Sequence, residues 1–364
     1  MMLGPAFGQI VVNNGPRPMN PKAGRTILLE EVLRIREDGD KVVFKNPKQL
    51  ALGTDESLFF LDAANLYRFG KDGRFLFQYA KSGQGPGEAQ YLDQFFVDPD
   101  KVRILSWTPP KIMDFDLRGK LLVDSRAQIQ GPFWYMARLD GKIYGIRDEI
   151  RHSDAIFKTG LIETPYAIYE ISDDFQAARK IADIPILHYI ENRRWVRRVM
   201  MAFDGRGPFL YIIRTAEYRV EKMDLRTGAI ERIFKREYSR KKIPPEEAKE
   251  EYREAGQGIL SPPAMPYAFD IYCPIAFKDS LWVVTYTEKD DGQSRLIDAF
   301  DPEGRYIDNF FLRFPPGQKR HDFYWSLITE DGFLFIPEED ADGLFSIGKY
   351  RIPGFAALAV PPNK

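Results

Sequence analysis

The chain is 364 residues long, 44% hydrophobic, 14% aromatic and 29% charged, which excludes a disordered or fibrous polypeptide and supplies large side chains for a core. Its 52 Lys and Arg against 53 Asp and Glu leave a formal charge of −1, so no whole-molecule field draws it to nucleic acid or acidic lipid. The single cysteine, Cys273, excludes an internal disulfide, and no uncharged apolar run of about 18 residues is present to span a membrane.

Residues 1–25 read as an N-terminal extension, in which a short apolar stretch with small residues ahead of Gln9 has the character of the end of a signal segment. TILLEEVLRIRE (26–37) is a spare strand with no partner nearby in sequence. From there one phrase repeats: an apolar strand, a turn with Asp and Gly, a second apolar strand. It occurs as LYRFGKDGRFLFQY (66–79), IMDFDLRGKLLV (112–123), VEKMDLRTGAIERIF (220–234) and LIDAFDPEGRYIDNFF (296–311), and each predicts a β-hairpin. A fifth copy, YAIYEISDDFQAARKI (166–181), keeps the strands and loses the glycine. Gly119 follows Gly73 by 46 residues, and Gly228 follows Gly119 by 109, two periods with the fifth copy between them.

A four-strand unit at such a period is the signature of propeller blades. With a second strand pair ahead of each hairpin, blades are predicted near 42–80, 92–124, 133–182, 195–235, 267–312 and 322–350. The fold expected is therefore all-β, a six-bladed propeller of four-stranded antiparallel blades over residues 26–352. The last blade lacks its outermost strand, so the 26–37 strand is expected to complete it and close the ring, leaving fewer open edges. SRKKIPPEEAKEEYREAGQG (239–258) breaks the rhythm and predicts a short exposed helix inserted between blades four and five; residues 353–364 form a tail.

KSGQGPGEAQYLDQFFVDPDKVRILSW followed by IMDFDLRGKLL resembles bacterial six-bladed, TolB-like or NHL-like propellers, in which a G-x-G-P-G-E loop precedes a blade and a hairpin with Asp, Gly and Lys follows it. The likeness in rhythm runs from about residue 40 to 350 and is sharpest at Gly83 to Glu88 and at 112–122. It implies an extracytoplasmic protein, periplasmic, extracellular or associated with the outer envelope. Lipid anchoring is common in that family, but the sequence shows no lipobox cysteine.

In a propeller, the loops between blades share a face with the loops between second and third strands, and ligands meet that face or the mouth of the central channel. His152, His188 and His321 all fall there; three imidazoles from different blades are a candidate set for a divalent metal, with solvated loop histidines as the alternative. RRWVRR (193–198) gathers Arg193, Arg194, Arg197 and Arg198 around Trp195. If Trp195 begins the innermost strand of blade four, alternation turns Arg194 and Arg198 to one side, where guanidinium forks facing the channel would hold an acidic sugar or carboxylate. The alternative is pairing with carboxylates of neighbouring blades. The glycines of GQGPGE (83–88) are expected to permit a tight inter-blade crossing, with Glu88 capping nearby amides. EEDADG (338–343) is read as a loop between strands, because Lys349 stands where a calcium loop needs a bidentate Glu. Cys273 reads as a small buried apolar residue.

Neither G-x-S-x-G nor HExxH occurs. The function expected is that of a non-catalytic binding or scaffold propeller, recognising a glycan, peptide or protein through its loop face with no cofactor. The alternative is a metal-dependent propeller hydrolase or lactonase with its site at the channel mouth; the asparagines such sites use fall outside the strands read as innermost.

Overall fold

The computed structural model describes residues 9–37, 42–129, 131–149, 160–191, 194–197, 199–203, 207–214, 217–239, 271–277, 280–289 and 292–358. Three strands open the chain, β1 (Ile10–Asn14), β2 (Arg25–Leu28) and β3 (Glu30–Ile35). Blade one follows with β4 (Pro47–Leu52), β5 (Leu58–Asp62), β6 (Asn65–Phe69) and β7 (Phe75–Tyr79). Blade two holds β8 (Gln94–Val97), β9 (Lys101–Trp107), β10 (Pro110–Asp116) and β11 (Leu121–Arg126). In blade three, β12 (Tyr135–Leu139), β13 (Lys142–Asp148), β14 (Gly160–Ile171) and β15 (Ala178–Glu191) are joined by a short fifth strand, β16 (Arg194–Arg197). Blade four is β17 (Val199–Phe203), β18 (Phe209–Arg214), β19 (Arg219–Asp224) and β20 (Ala229–Arg236). Blade five is β21 (Ile271–Phe277), β22 (Ser280–Lys289), β23 (Ser294–Phe300) and β24 (Tyr306–Arg313). In blade six the innermost strand is broken into β25 (Gln318–His321) and β26 (Leu327–Ile328), ahead of β27 (Phe333–Asp340) and β28 (Phe345–Arg351).

The ring closes as the spare strand predicts. β3 pairs antiparallel with β28, Ile35 opposite Ile347, and serves as the fourth strand of blade six. The N-terminus does more than that: β1 lies parallel on β20 and β2 parallel on β24, so they form fifth strands on blades four and five. The chain thus wraps three consecutive blades before entering blade one. Side chains fasten this belt. Asn14 Nδ2 donates to the carbonyls of Lys235 and Gly304, and its Oδ1 accepts from Tyr306 N. Arg25 forks onto Asp308 at 2.9 and 2.7 Å. Arg34 reaches the buried Glu338 and donates to Tyr350 OH at 2.7 Å, while that hydroxyl donates to the other Glu338 oxygen, also at 2.7 Å.

The core sits between blades rather than within one. Phe59, Leu61 and Tyr79 of blade one pack on Phe95, Ile104 and Phe115 of blade two, and equivalent buried clusters fill the five remaining interfaces. The sixth closes the circle, with Phe44, Phe60 and Phe69 packed beside Phe335 and Ile347. Middle strands are therefore covered on both faces, which is why LFFLD of β5 is buried throughout although strict alternation marks a strand covered on one face only.

The hairpin glycine has two causes at once. Gly119 holds φ +83°, a region costly to side chains, and a Cβ there would stand 2.0 Å from the Phe77 ring of the preceding blade's outer strand. Gly228 and Gly304 meet Ile181 and Phe234 of their preceding blades in the same way, and Gly73 meets Leu33. That last contact shows β3 occupying an outer-strand position for blade one to lean on. In the fifth copy Phe175 takes the turn at φ +55° and is fully buried between blades two and three.

Residues 239–258, predicted as a helical insertion, lie outside the described residues except for Ser239. At the C-terminus a short helix, Phe355–Leu358, seats Phe355 against Trp282, ring centroids 6.0 Å apart.

Candidate functional site

The innermost strands converge on a cavity of about 260 Å³ to which all six blades contribute. Blade one offers Gln49, at a bulge in β4 where φ is +52°; bulges re-aim a side chain without ending the strand. Blade two offers Gln94, the first residue of β8, and blade three Trp134, Tyr135 and Met136. Blades four and five add Met201 to Phe203 and Pro274 to Ala276. Blade six contributes through the break in its innermost strand. There a 3-10 turn, Phe323–Trp325, is capped by Asp322, whose side chain accepts from Tyr324 N at 3.1 Å. Phe323 is buried against the core and, with Tyr324 and Trp325, lines the cavity.

Two aromatic triplets therefore approach the axis: Phe-Trp-Tyr at 133–135, of which Trp134 and Tyr135 line the cavity while Phe133 is buried between blades two and three, and Phe-Tyr-Trp at 323–325. They come from blades three and six, opposite each other in the ring, and the rings of Tyr135 and Tyr324 touch edge to face at 5.8 Å. Tyr324 packs edge to face on Trp325 at 4.5 Å. Trp134 is 44% exposed and is held by its own indole, Nε1 donating to Asp148 at 3.1 Å. The amides are oriented too, because Gln49 Nε2 donates to the Asp93 carbonyl at 2.9 Å and Gln94 Nε2 to that of Trp134 at 3.4 Å. No carboxylate, imidazole, ammonium or guanidinium lines this cavity among the described residues.

Residues 37–180 match the six-bladed β-propeller family DUF5128. Among solved structures, a Bacteroides fragilis protein superimposes with a TM-score of 0.55 at 15% identity, over 94% of this chain and 99% of that one. A member of the DUF4221 family from Bacteroides vulgatus gives 0.53 at 9% identity, over 90% and 99%. At these identities the likeness is one of fold. No curated protein matches the chain. The six-bladed architecture implied by the sequence resemblance is thus present.

Of the residues singled out in the sequence, the described ones do not line the channel cavity. Arg193, Arg198 and His152 lie outside the described residues. Arg194, Trp195 and Arg197 stand on β16, which pairs antiparallel with β15 at the outer edge of blade three, with Arg194 opposite Glu191 and Arg197 opposite His188. This corrects the expectation that Trp195 begins the innermost strand of blade four, which is β17. The cause is the length of β15. It runs on to Glu191, well past Tyr166, where β13 stops pairing with β14, so a ribbon rises on the loop side and offers β16 an edge.

His321 is not a solvated loop residue. Its ring stacks on Phe314 at 3.6 Å and Nε2 lies 3.1 Å from Glu338 Oε1, beside the Arg34 contact. Among the described residues no group of three His, Cys, Asp or Glu is placed to hold a metal. In the 83–88 loop Glu88 does cap an amide, accepting from Gly85 N at 2.9 Å, while Lys111 Nζ donates to the Gly85 and Glu88 carbonyls. The 338–343 segment ends β27 and turns into β28, with Asp340 accepting from the amides of Asp342 and Leu344. Cys273 is buried between blades five and six, and burial pushes its thiol well above the ordinary range. What sequence reasoning missed was the channel lining itself, for which the two aromatic triplets were the available signal.

Proposed function

We propose that this chain is a non-catalytic binding propeller working outside the cytoplasm, with its ligand seated in the axial cavity. The observation that carries the reading is the meeting of two aromatic triplets from opposed blades around an opening lined by amides. Such a surface offers stacking area and directional hydrogen bonds. The Bacteroides fragilis protein of similar fold is named as exported, which supports an extracytoplasmic setting for this chain as well.

Glycan and peptide arrays probed with the wild-type chain and with Trp134→Ala test the site. Because Trp134 is 44% exposed and belongs to none of the buried clusters between blades, its loss opens no core cavity. Ligands retained by the wild type are expected to bind about tenfold more weakly to the variant, the equivalent of about 1.4 kcal/mol. Equal signals from both proteins would place the ligand elsewhere.

A further inference from the structure

Resting on the channel reading, we infer that the ligand is an uncharged carbohydrate, inserted by its terminal residue. Four polar groups on the lining residues find no hydrogen-bond partner among the described residues: the side-chain oxygens of Gln49 and Gln94, the hydroxyl of Tyr324 and the indole N–H of Trp325. Gln94 is only 7% exposed, yet its side-chain oxygen is not among the buried atoms left without a partner, so it stays open to a group entering the cavity. Two acceptors, one donor and one hydroxyl that does either ask for a ligand bearing several hydroxyls, each able to give and to take. The rings of Trp134, Tyr324 and Trp325 ask for an apolar face beside those hydroxyls. A sugar ring has both, its C–H face for stacking and its edge for hydrogen bonds.

Charge narrows the choice. An acidic sugar, an amine or a free peptide terminus would find no counter-ion among the described lining residues, and burying an unpaired charge costs far more than burying a hydroxyl. Size narrows it again. About 260 Å³ falls just below the roughly 300–1,000 Å³ that encloses a whole drug-sized ligand, which suits the end of a glycan rather than a run of it.

Calorimetric titration of the full chain tests this with four arms: neutral disaccharides, the same disaccharides carrying one uronic acid, tetramethylammonium, and short peptides with free termini. Neutral disaccharides should bind, with affinity unchanged by added salt because no charge is screened. Gln94→Leu and Trp325→Phe should each weaken binding about three- to tenfold, the range of one neutral hydrogen bond. The second variant keeps an aromatic ring and serves if the first fails to fold. Binding of only a charged arm, lost in Trp134→Ala, would overturn the carbohydrate assignment and leave the channel standing. No binding from any arm, or binding untouched by Trp134→Ala, would overturn both.

Discussion

Gly119 and Gly141 both hold left-handed backbone, φ +83° and +73°, yet a Cβ at Gly119 meets the Phe77 ring whereas one at Gly141 meets nothing within 4 Å. Alanine at Gly141 therefore costs only the backbone penalty, about 1 kcal/mol. At Gly119 the same substitution also pushes two blades apart, and a loss of about 3 kcal/mol or more is expected. Urea denaturation of both variants measures the difference; equal losses would mean that blade contact does not constrain the turn. The hairpins were legible in the sequence because this chemistry is local. Asp116 accepts from the amides of Arg118 and Lys120, and Gly119 N closes the turn onto the Asp116 carbonyl. Phe175 shows the limit, since its left-handed turn depends on a pocket between two blades that no local pattern records.

Among the elements, β3 holds the ring together by more than its ladder. Arg34 is nearly buried and meets a fully buried Glu338, so removing the cation leaves a core carboxylate with only the Tyr350 hydroxyl and His321 beside it. Arg34→Met should cost about 3–5 kcal/mol. Arg25→Met, at a bond whose arginine is 30% exposed, should cost about 1 kcal/mol or less. Thermal midpoints rank the two, and a larger drop for Arg25→Met would contradict the closure role given to β3. That β3 completes blade six could be read from a strand count. That β1 and β2 run parallel along blades four and five could not, because an edge accepts a parallel or an antiparallel strand and the sequence does not say which. β16 was misassigned for a related reason: the alternation of 194–197 was visible, but its partner depends on how far β15 extends.

Taken whole, the molecule gathers at its axis residues that are up to 277 positions apart, Gln49 to Ser326. Repeat length and turn chemistry gave the blade number, and from that the position of the channel, but not its lining. The lining depends on two irregularities, the bulge at Gln49 and the 3-10 break at Phe323–Trp325, where strand rhythm fails. The five tryptophans allow the central claim to be tested in one experiment. In a chain labelled with 5-fluorotryptophan, the fluorine NMR signals of Trp134 and Trp325 should move together as a neutral disaccharide is added. Trp107 and Trp282, packed in blade interfaces, should stay fixed. A shift confined to Trp195 would put the ligand on the blade-three ribbon and contradict the channel.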